Sequence, residues 1–224
     1  MLPDARIDKL PMKFRFNQVV PFFINDTQTL QSDVWGKELM FENEKSYLIK
    51  AASGTGKSTL LGILFGVRNN FKGDVFVDET NSRKLSLNDW SSLRQHKISL
   101  LFQELRLFEN LTVKENLQLK LNLQSELSMK DAEEYLRVLG MSDFINRTCK
   151  TLSWGQQQRI AIVRSLLQPF ECLMMDEPFS HLDEKNTSIA LTLIRERCTA
   201  QNASLILSSL GSEHGSSFDH ILNL

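Results

Sequence analysis

Residues 46–65 join a predicted strand to a predicted helix through a glycine-rich turn, and this segment constrains the fold most strongly. The run Ser46–Lys50 is predicted to be the strand, and the helix is expected to begin at Lys57 and stop near Gly66. The turn and the helix start have the sequence Ala51-Ala52-Ser53-Gly54-Thr55-Gly56-Lys57-Ser58-Thr59. Backbone N–H groups in such a turn and the positive end of the helix dipole attract anions. The segment therefore predicts an α/β fold that binds phosphate.

The residue types in this turn favour a nucleotide over a simple anion. Lys57 would reach the β and γ phosphates of ATP, and Ser58 would offer its hydroxyl to Mg²⁺. The usual pattern begins with glycine, whereas this chain has Ala51, which the turn can accept if its φ is negative. The predicted ATP-binding residues are Ala51, Ala52, Ser53, Gly54, Thr55, Gly56, Lys57, Ser58 and Thr59. The alternative is an incidental glycine-rich turn.

Two later segments supply acidic and polar groups at strand ends. Residues 171–175 and 204–207 are short, continuous apolar runs, which are typical of strands buried on both faces. Asp176 and Glu177 follow the first run, and ligands bind at the carboxyl ends of strands in open α/β sheets. Asp176 is predicted to hold Mg²⁺ through water and Glu177 to polarise the attacking water. The alternative is an acidic turn before Pro178.

Composition limits the classes of partner and location. The 224 residues suit one large α/β domain, predicted to span 1–224. The 26 Lys and Arg residues balance 27 Asp and Glu residues, so no nucleic-acid partner is expected. Cys149, Cys172 and Cys198 are scattered, which fits a reducing compartment. No apolar run approaches the roughly 20 residues that cross a membrane, and Met1–Arg6 contains no apolar signal core, so a cytoplasmic chain is expected.

The sequence pattern between Phe102 and Thr151 predicts mainly helices. Thr112 and Glu115 have the spacing of a capping box, and Ser128 precedes a stretch expected to be helical as far as Gly140. Leu117, Leu119, Leu121 and Leu123 alternate, which by period favours a strand, but the capping box favours a helix at least to about Leu119, with looser structure beyond. Upstream, residues 73–78 are predicted as a turn and strand, and 97–102 as a strand that ends at Gln103.

From about Val34 to Leu224 the chain resembles the ATP-binding cassette ATPases. Residues 152–156, Leu-Ser-Trp-Gly-Gln, resemble the LSGGQ signature, residues 180–183, Ser-His-Leu-Asp, resemble the D-loop, and Gln103 resembles the Q-loop glutamine. This resemblance implies a P-loop NTPase core with a mostly parallel sheet, a small N-terminal antiparallel β subdomain and an inserted α-helical subdomain. The core would comprise 1–101 and 156–224, and the helical and signature subdomain 102–155.

The resemblance also implies how the site is completed. Two cassettes of this family close head-to-tail as a homodimer, with each ATP between the phosphate loop of one copy and the signature of the other. Ser153, Gly155, Gln156 and Asp183 would then bind the partner's nucleotide. Gln103 would contact Mg²⁺ and take part in catalysis.

A weaker likeness concerns the membrane partner. Residues 107–117 resemble the segment after the Q-loop in the MacB, LolD and FtsE-like group, and similar sequences occur in amino-acid importers. The group implies a transmembrane permease subunit and a position on the cytoplasmic face of the cell membrane. The residues around 103–108 are expected to be exposed and are therefore the better candidates for docking this subunit. Two alternatives are an ATP-gated cassette that hydrolyses weakly and a soluble cassette of assembly or translation, although translation cassettes are generally paired in one chain.

Several positions depart from the family pattern. Trp154 replaces the first glycine of the signature, and Ser209 stands where the switch histidine is expected, so hydrolysis is predicted to be slow unless His214 substitutes. Phe22 or Phe23 could stack on adenine, although packing in the core is the favoured expectation. The remaining histidines, His96, His181 and His220, are expected to have packing or surface roles.

Overall fold

The computed structural model describes residues 12–52, 54–123, 126–211, 215 and 217–224. Within these residues the strands are β1 Phe14–Pro21, β2 Glu38–Phe41, β3 Ser46–Lys50, β4 Phe71–Val77, β5 Thr80–Asn81, β6 Ile98–Leu101, β7 Cys172–Asp176, β8 Ser204–Ser209 and β9 His220–Asn223. One sheet is parallel, with the order β6-β7-β8-β3-β9, and the other is antiparallel, with the order β2-β1-β4-β5. The predicted parallel sheet and small N-terminal antiparallel sheet are therefore both present.

Helices cover and connect the sheets. They are α1 Asp26–Gln31, α2 Lys57–Leu64, α3 Leu87–His96, α4 Val113–Leu121, α5 Met129–Val138, α6 Trp154–Leu166 and α7 Glu184–Ala200. Short 3₁₀ turns occupy Ser82–Lys84, Ser142–Phe144 and Cys149–Thr151. Within the described ranges, none of the helices combines the length and apolarity that a membrane crossing requires.

The inner strands β7 and β8 of the parallel sheet are buried on both faces, as their apolar runs predict. Leu173 and Leu205 pack into a cluster with α6 and α7, whereas their neighbours Met174 and Ile206 pack into a cluster with α2 and the antiparallel sheet. Every residue of β7 and β8 is buried. Because successive side chains of a strand point to opposite faces, side chains on both faces of these strands are buried, and the polar residues Asp176 and Ser208 are hydrogen-bonded to each other.

The strand register brings the functional segments to one edge. β8 lies between β3 and β7, with Lys50 opposite Ser209 and Ser208 opposite Asp176. All three strands run in the same direction, so the glycine-rich turn after β3 and the acidic residues after β7 emerge side by side. The fold thus gathers segments that are more than 100 residues apart in sequence.

Most predicted helix boundaries are confirmed, and the capping boxes are the clearest cases. Thr112 and Glu115 cap α4, and Ser128 caps α5. Helix α4 reaches Leu121, consistent with the predicted helix to at least Leu119, and the alternation of leucines does not form a strand. Leu117 and Leu121 are buried one turn apart, which is helical spacing, whereas Leu119 faces solvent.

The predicted turn at residue 73 is wrong. Gly73 lies within β4 with φ +81°, beside the irregularity of β1 between Asn17 and Val20. A Cβ at this position would lie 2.3 Å from the carbonyl oxygen of Gln18. Glycine is therefore required because two strands approach closely here. Glycine is also the residue expected in a turn, so the residue type alone does not distinguish the two cases.

Candidate functional site

The glycine-rich turn wraps around the buried side chain of Lys57. Gly54 and Gly56 have φ values of +81° and +108°, which glycine adopts without strain. The Lys57 Nζ donates to the carbonyl oxygens of Ala51 at 2.9 Å and Ala52 at 3.0 Å. Ala51 is not among the residues with positive φ, so alanine fits there as expected. Ser53, also predicted to bind ATP, lies outside the described residues.

The turn rests on the indole of Trp35, which the sequence did not single out. A Cβ on Gly56 would lie 3.1 Å from the Trp35 ring, and the indole Nε1 donates to the Thr55 carbonyl at 3.4 Å. The Thr55 hydroxyl in turn donates to the Ala52 carbonyl at 2.8 Å. Trp35 is fully buried, and it therefore forms a rigid floor beneath the turn. Only long-range packing identifies this role.

Asp176 and Glu177 stand at the carboxyl end of β7, as predicted. The Glu177 carboxylate lies 3.2 Å from Lys57 Nζ, and both side chains are largely buried. Asp176 accepts a hydrogen bond from the Ser208 hydroxyl at 2.6 Å, and the same hydroxyl accepts from the Glu177 backbone N–H at 3.0 Å. A positive charge and two carboxylates thus converge on one edge of the sheet.

Two adjoining cavities open at this edge. One, of about 350 Å³, is lined by residues that include Phe23, Lys57, Ser58, Gln103 and Glu177. The other, of about 430 Å³, is also lined by Phe23 and Ser58 and extends to Asp176. Gly54 and Gly56 also line the first cavity, and Thr59 lines both cavities. Arg68 lines both cavities as well, although the sequence did not identify it.

The donor groups at these cavities suit a hard divalent cation. Ser58, Gln103 and Asp176 offer hydroxyl, amide and carboxylate oxygens, the ligand types that Mg²⁺ prefers. Within the part of the chain that the structure describes, no group of three or more His, Cys, Asp and Glu side chains could hold a metal alone. The residues therefore fit a Mg²⁺ ion that they would coordinate only in part, with water molecules and phosphate oxygens as its remaining ligands.

The signature segment lies apart from these cavities in the same chain. Ser153 caps α6: its hydroxyl accepts from the Gln156 N–H at 3.3 Å, and its own N–H donates to the Gln156 side chain at 2.9 Å. Trp154 is 48% exposed, with its ring 5.7 Å from that of His181. A Cβ at Gly155 would lie 2.7 Å from the His181 carbonyl oxygen, so only glycine permits this contact.

Asp183 begins α7 next to the signature. Its carboxylate accepts from the Asn186 backbone N–H at 2.7 Å and from the Asn186 side chain at 2.9 Å. These hydrogen bonds, the backbone one foremost, hold the pKa of the Asp183 carboxyl below its usual value. Asp183 is therefore a charged helix cap that remains exposed.

Ser209, the residue predicted to stand in place of the switch histidine, is buried. Ser209 is the last residue of β8, and its carbonyl oxygen accepts from the Ala51 N–H at 3.2 Å. The backbone of Ser209 thus adjoins the start of the glycine-rich turn. His214 lies outside the described residues.

The favoured expectation that Phe22 and Phe23 pack in the core is wrong. Their side chains are 66% and 57% exposed. The chain leaves the sheet at Pro21, and the Phe22 N–H donates to the Asn70 carbonyl at 3.3 Å, which directs the two rings away from the core. Phe23 consequently lines both cavities.

Comparisons with known proteins agree with this architecture. A family described as ABC transporter matches residues 37–180. The thiamine import ATP-binding protein ThiQ of Histophilus somni (strain 129Pt) is 37% identical over 158 residues, 69% of this chain and 71% of that protein. The lipoprotein-releasing system ATP-binding protein LolD of Buchnera aphidicola subsp. Schizaphis graminum (strain Sg) is 33% identical over 164 residues, 72% of each chain.

A solved structure reproduces the fold. The dimeric structure of MJ0796, described as a bacterial ABC transporter cassette, superposes with a TM-score of 0.80 at 24% identity and covers 94% of each chain. The family match spans the glycine-rich turn, Gln103, the signature segment and the Asp176–Glu177 pair. The chain therefore belongs to the ABC transporter family, as an ATP-binding and ATP-hydrolysing cassette.

Proposed function

We propose that the edge formed by the ends of β3, β7 and β8 binds and hydrolyses Mg-ATP. The observation that carries this proposal is the enclosure of the Lys57 ammonium between two loop carbonyls and the Glu177 carboxylate. ATP phosphates would replace Glu177 as the anionic partner of Lys57, because charge-assisted contacts of this kind are strong in a water-poor site. The freed carboxylate would then face the attacking water.

The remaining groups have roles that follow from their positions. Ser58, Gln103 and Asp176 would hold Mg²⁺, which neutralises charge on the phosphate oxygens. Glu177 would orient and polarise the water. Ser209 would lie beside the developing negative charge and, unlike a histidine, would supply no positive charge to stabilise it. The rest of the turn, residues 51–56 and Thr59, would cradle the phosphates through backbone N–H groups.

A second copy would complete the site. Ser153, Gly155, Gln156 and Asp183 lie outside both cavities of their own chain, and Ser153 and Asp183 are exposed. These residues would contact the nucleotide held by another copy. Phe23 would stack on the adenine base, since it is exposed and lines both cavities.

The division of the chain into parts is also proposed. Residues 1–101 and 156–224 would form the nucleotide-binding core, and 102–155 the helical and signature subdomain. The position of α4 and α5 between β6 and α6 supports these bounds.

Residues 103–108 are proposed to dock a transmembrane permease subunit on the cytoplasmic face of the membrane. Phe108 is 57% exposed, yet its backbone is fixed by the buried Asn116, which accepts from its N–H at 2.9 Å and donates to its carbonyl at 3.0 Å. Arg106 lies over the Phe102 ring at 3.5 Å. A rigidly held, exposed aromatic residue is typical of an interaction surface.

Replacing Lys57 by alanine is expected to weaken Mg-ATP binding by about 10- to 100-fold, because hydrogen bonds to charged groups contribute about 1.5–3 kcal/mol. Isothermal titration calorimetry would measure the dissociation constant. Lys97→Ala is the matched control, since Lys97 also pairs with a carboxylate, Glu171, at 3.1 Å, but at the opposite end of the sheet. Equal affinity of Lys57→Ala and the wild type would contradict the proposed grip.

Restoring the family residue with Ser209→His is expected to raise kcat by about 100- to 1,000-fold, the usual contribution of a donor to transition-state charge. A steady-state phosphate-release assay would measure it, with thermal melting to verify the fold. The double variant Lys57→Ala/Ser209→His should lose this gain at Mg-ATP concentrations that saturate the Ser209→His chain, because Lys57→Ala weakens Mg-ATP binding; such a loss locates the gain at this site. A folded Ser209→His chain no faster than the wild type would remove position 209 from catalysis.

A multi-span membrane protein is expected to co-purify with the chain from detergent-solubilised membranes. Phe108→Asp should abolish this co-purification, because it places a charge at the centre of the proposed docking surface. Leu87→Asp is the control, since Leu87 is 85% exposed and lies in a different element. Recovery of soluble partners only, or equal recovery with both variants, would count against the docking surface.

A further inference from the structure

Glu177 has a backbone conformation that its neighbours must maintain. Its φ is +47°, in the left-handed region that residues with side chains rarely adopt. Such conformations persist where surrounding contacts fix them, and they concentrate at functional sites. The direction of the Glu177 carboxylate therefore depends on the groups that hold its two adjoining peptide units.

Two buried side chains hold the backbone of Glu177 from opposite sides. The Ser208 hydroxyl accepts from the Glu177 N–H at 3.0 Å, and the Gln158 side-chain amide donates to the Glu177 carbonyl at 3.1 Å. Ser208 is 0% exposed and Gln158 is 1% exposed, so water does not compete for either bond. Ser208 also donates to Asp176 at 2.6 Å and thereby ties the two carboxylate residues together.

Gln158 joins two further segments to this clamp, α6 and residues 180–181. It lies on α6, five residues after Ser153. Its Nε2 also contacts the Ser180 hydroxyl at 3.3 Å, and its Oε1 accepts from the His181 N–H at 2.9 Å. The amide is therefore satisfied on both sides, and a displacement of α6 must move the Glu177 carbonyl, the His181 backbone, or both.

We infer that Gln158 and Ser208 are positioning residues that aim the Glu177 carboxylate, and that Gln158 couples this aim to the helix carrying the signature. The inference rests on the proposed function, in which Ser153 contacts the nucleotide of a second copy. Engagement of Ser153 by that nucleotide then adjusts the carboxylate that serves the chain's own nucleotide. Each site of a dimer thus senses the other through one buried amide.

The test compares variants that keep the volume but remove the hydrogen bonds. Gln158→Met and Ser208→Ala should lower kcat about 10- to 100-fold, with KM for Mg-ATP changed less than about threefold, since supporting contacts orient reacting groups. Ser208→Thr keeps the hydroxyl and should restore activity. Gln157→Met is the matched control and should retain activity, because Gln157 lies on the same helix and donates to the Leu152 carbonyl at 3.1 Å.

A double-mutant cycle separates positioning from general damage to the fold. If Gln158 acts through Glu177, then adding Gln158→Met to Glu177→Gln should lower the single-turnover rate by less than about threefold. Gln158→Glu serves as a second variant, since it keeps the acceptor for His181 but loses the donor to Glu177.

Multiplicative losses in the cycle, equal effects at positions 157 and 158, or failure of Ser208→Thr to restore activity would overturn the inference. A wild-type rate no higher than that of Lys57→Ala would overturn the proposed function, and the inference with it. Normal kcat in a folded Gln158→Met chain, alongside active wild type, would overturn the inference alone.

Discussion

The ammonium group of Lys57 is buried, and a buried charge is tolerated only when other groups surround and neutralise it. Lys57 obtains its partners from two distant parts of the chain: the carbonyls of Ala51 and Ala52 from the turn after β3, and the carboxylate of Glu177 from the end of β7. These partners meet because β3 and β7 flank β8 in one parallel sheet. The parallel order of the strands is thus a condition for the charge to be buried.

The same arrangement explains how the site can be ready for an anion before one arrives. Glu177 is held on Lys57 by attraction and is held at its backbone by Ser208 and Gln158. A phosphate that displaces the carboxylate leaves the backbone clamp in place, so only the side chain needs to turn. The fixed floor of Trp35 beneath Gly56 has a similar effect on the turn, because it limits the reorganisation that binding demands.

The sequence predicted the parts of this site that depend on local order. The glycine spacing, the apolar strand before Asp176 and the capping boxes of Thr112 and Ser128 each act within a few residues, so they can be recognised without the fold. The family resemblance supplied the order of the motifs and the expectation of two sheets. The buried strands are recognisable because residues 172–175 of β7 and residues 205–207 of β8 are continuously apolar.

Features set by long-range contacts were not predictable in the same way. Trp35, Ser208 and Gln158 are unremarkable as residue types in sequence, and their roles appear only when the turn, β8 and α6 meet. An apolar pair such as Phe22 and Phe23 is expected in the core by residue type, whereas a backbone hydrogen bond from Phe22 to Asn70 directs this pair outward. Gly73 matches a local turn by residue type, but the close approach of two strands is what requires glycine there.

The central claim is that ATP held at Lys57 is covered by the signature of a second copy. Light scattering coupled to size-exclusion chromatography tests it most directly, with the Glu177→Gln chain kept from rapid hydrolysis. The account predicts a monomer without nucleotide and a dimer with Mg-ATP. It also predicts that adding Lys57→Ala or Ser153→Arg to Glu177→Gln restores the monomer, since each removes one half of the shared site. A Glu177→Gln chain that binds Mg-ATP in calorimetry yet stays monomeric at all concentrations would contradict the account.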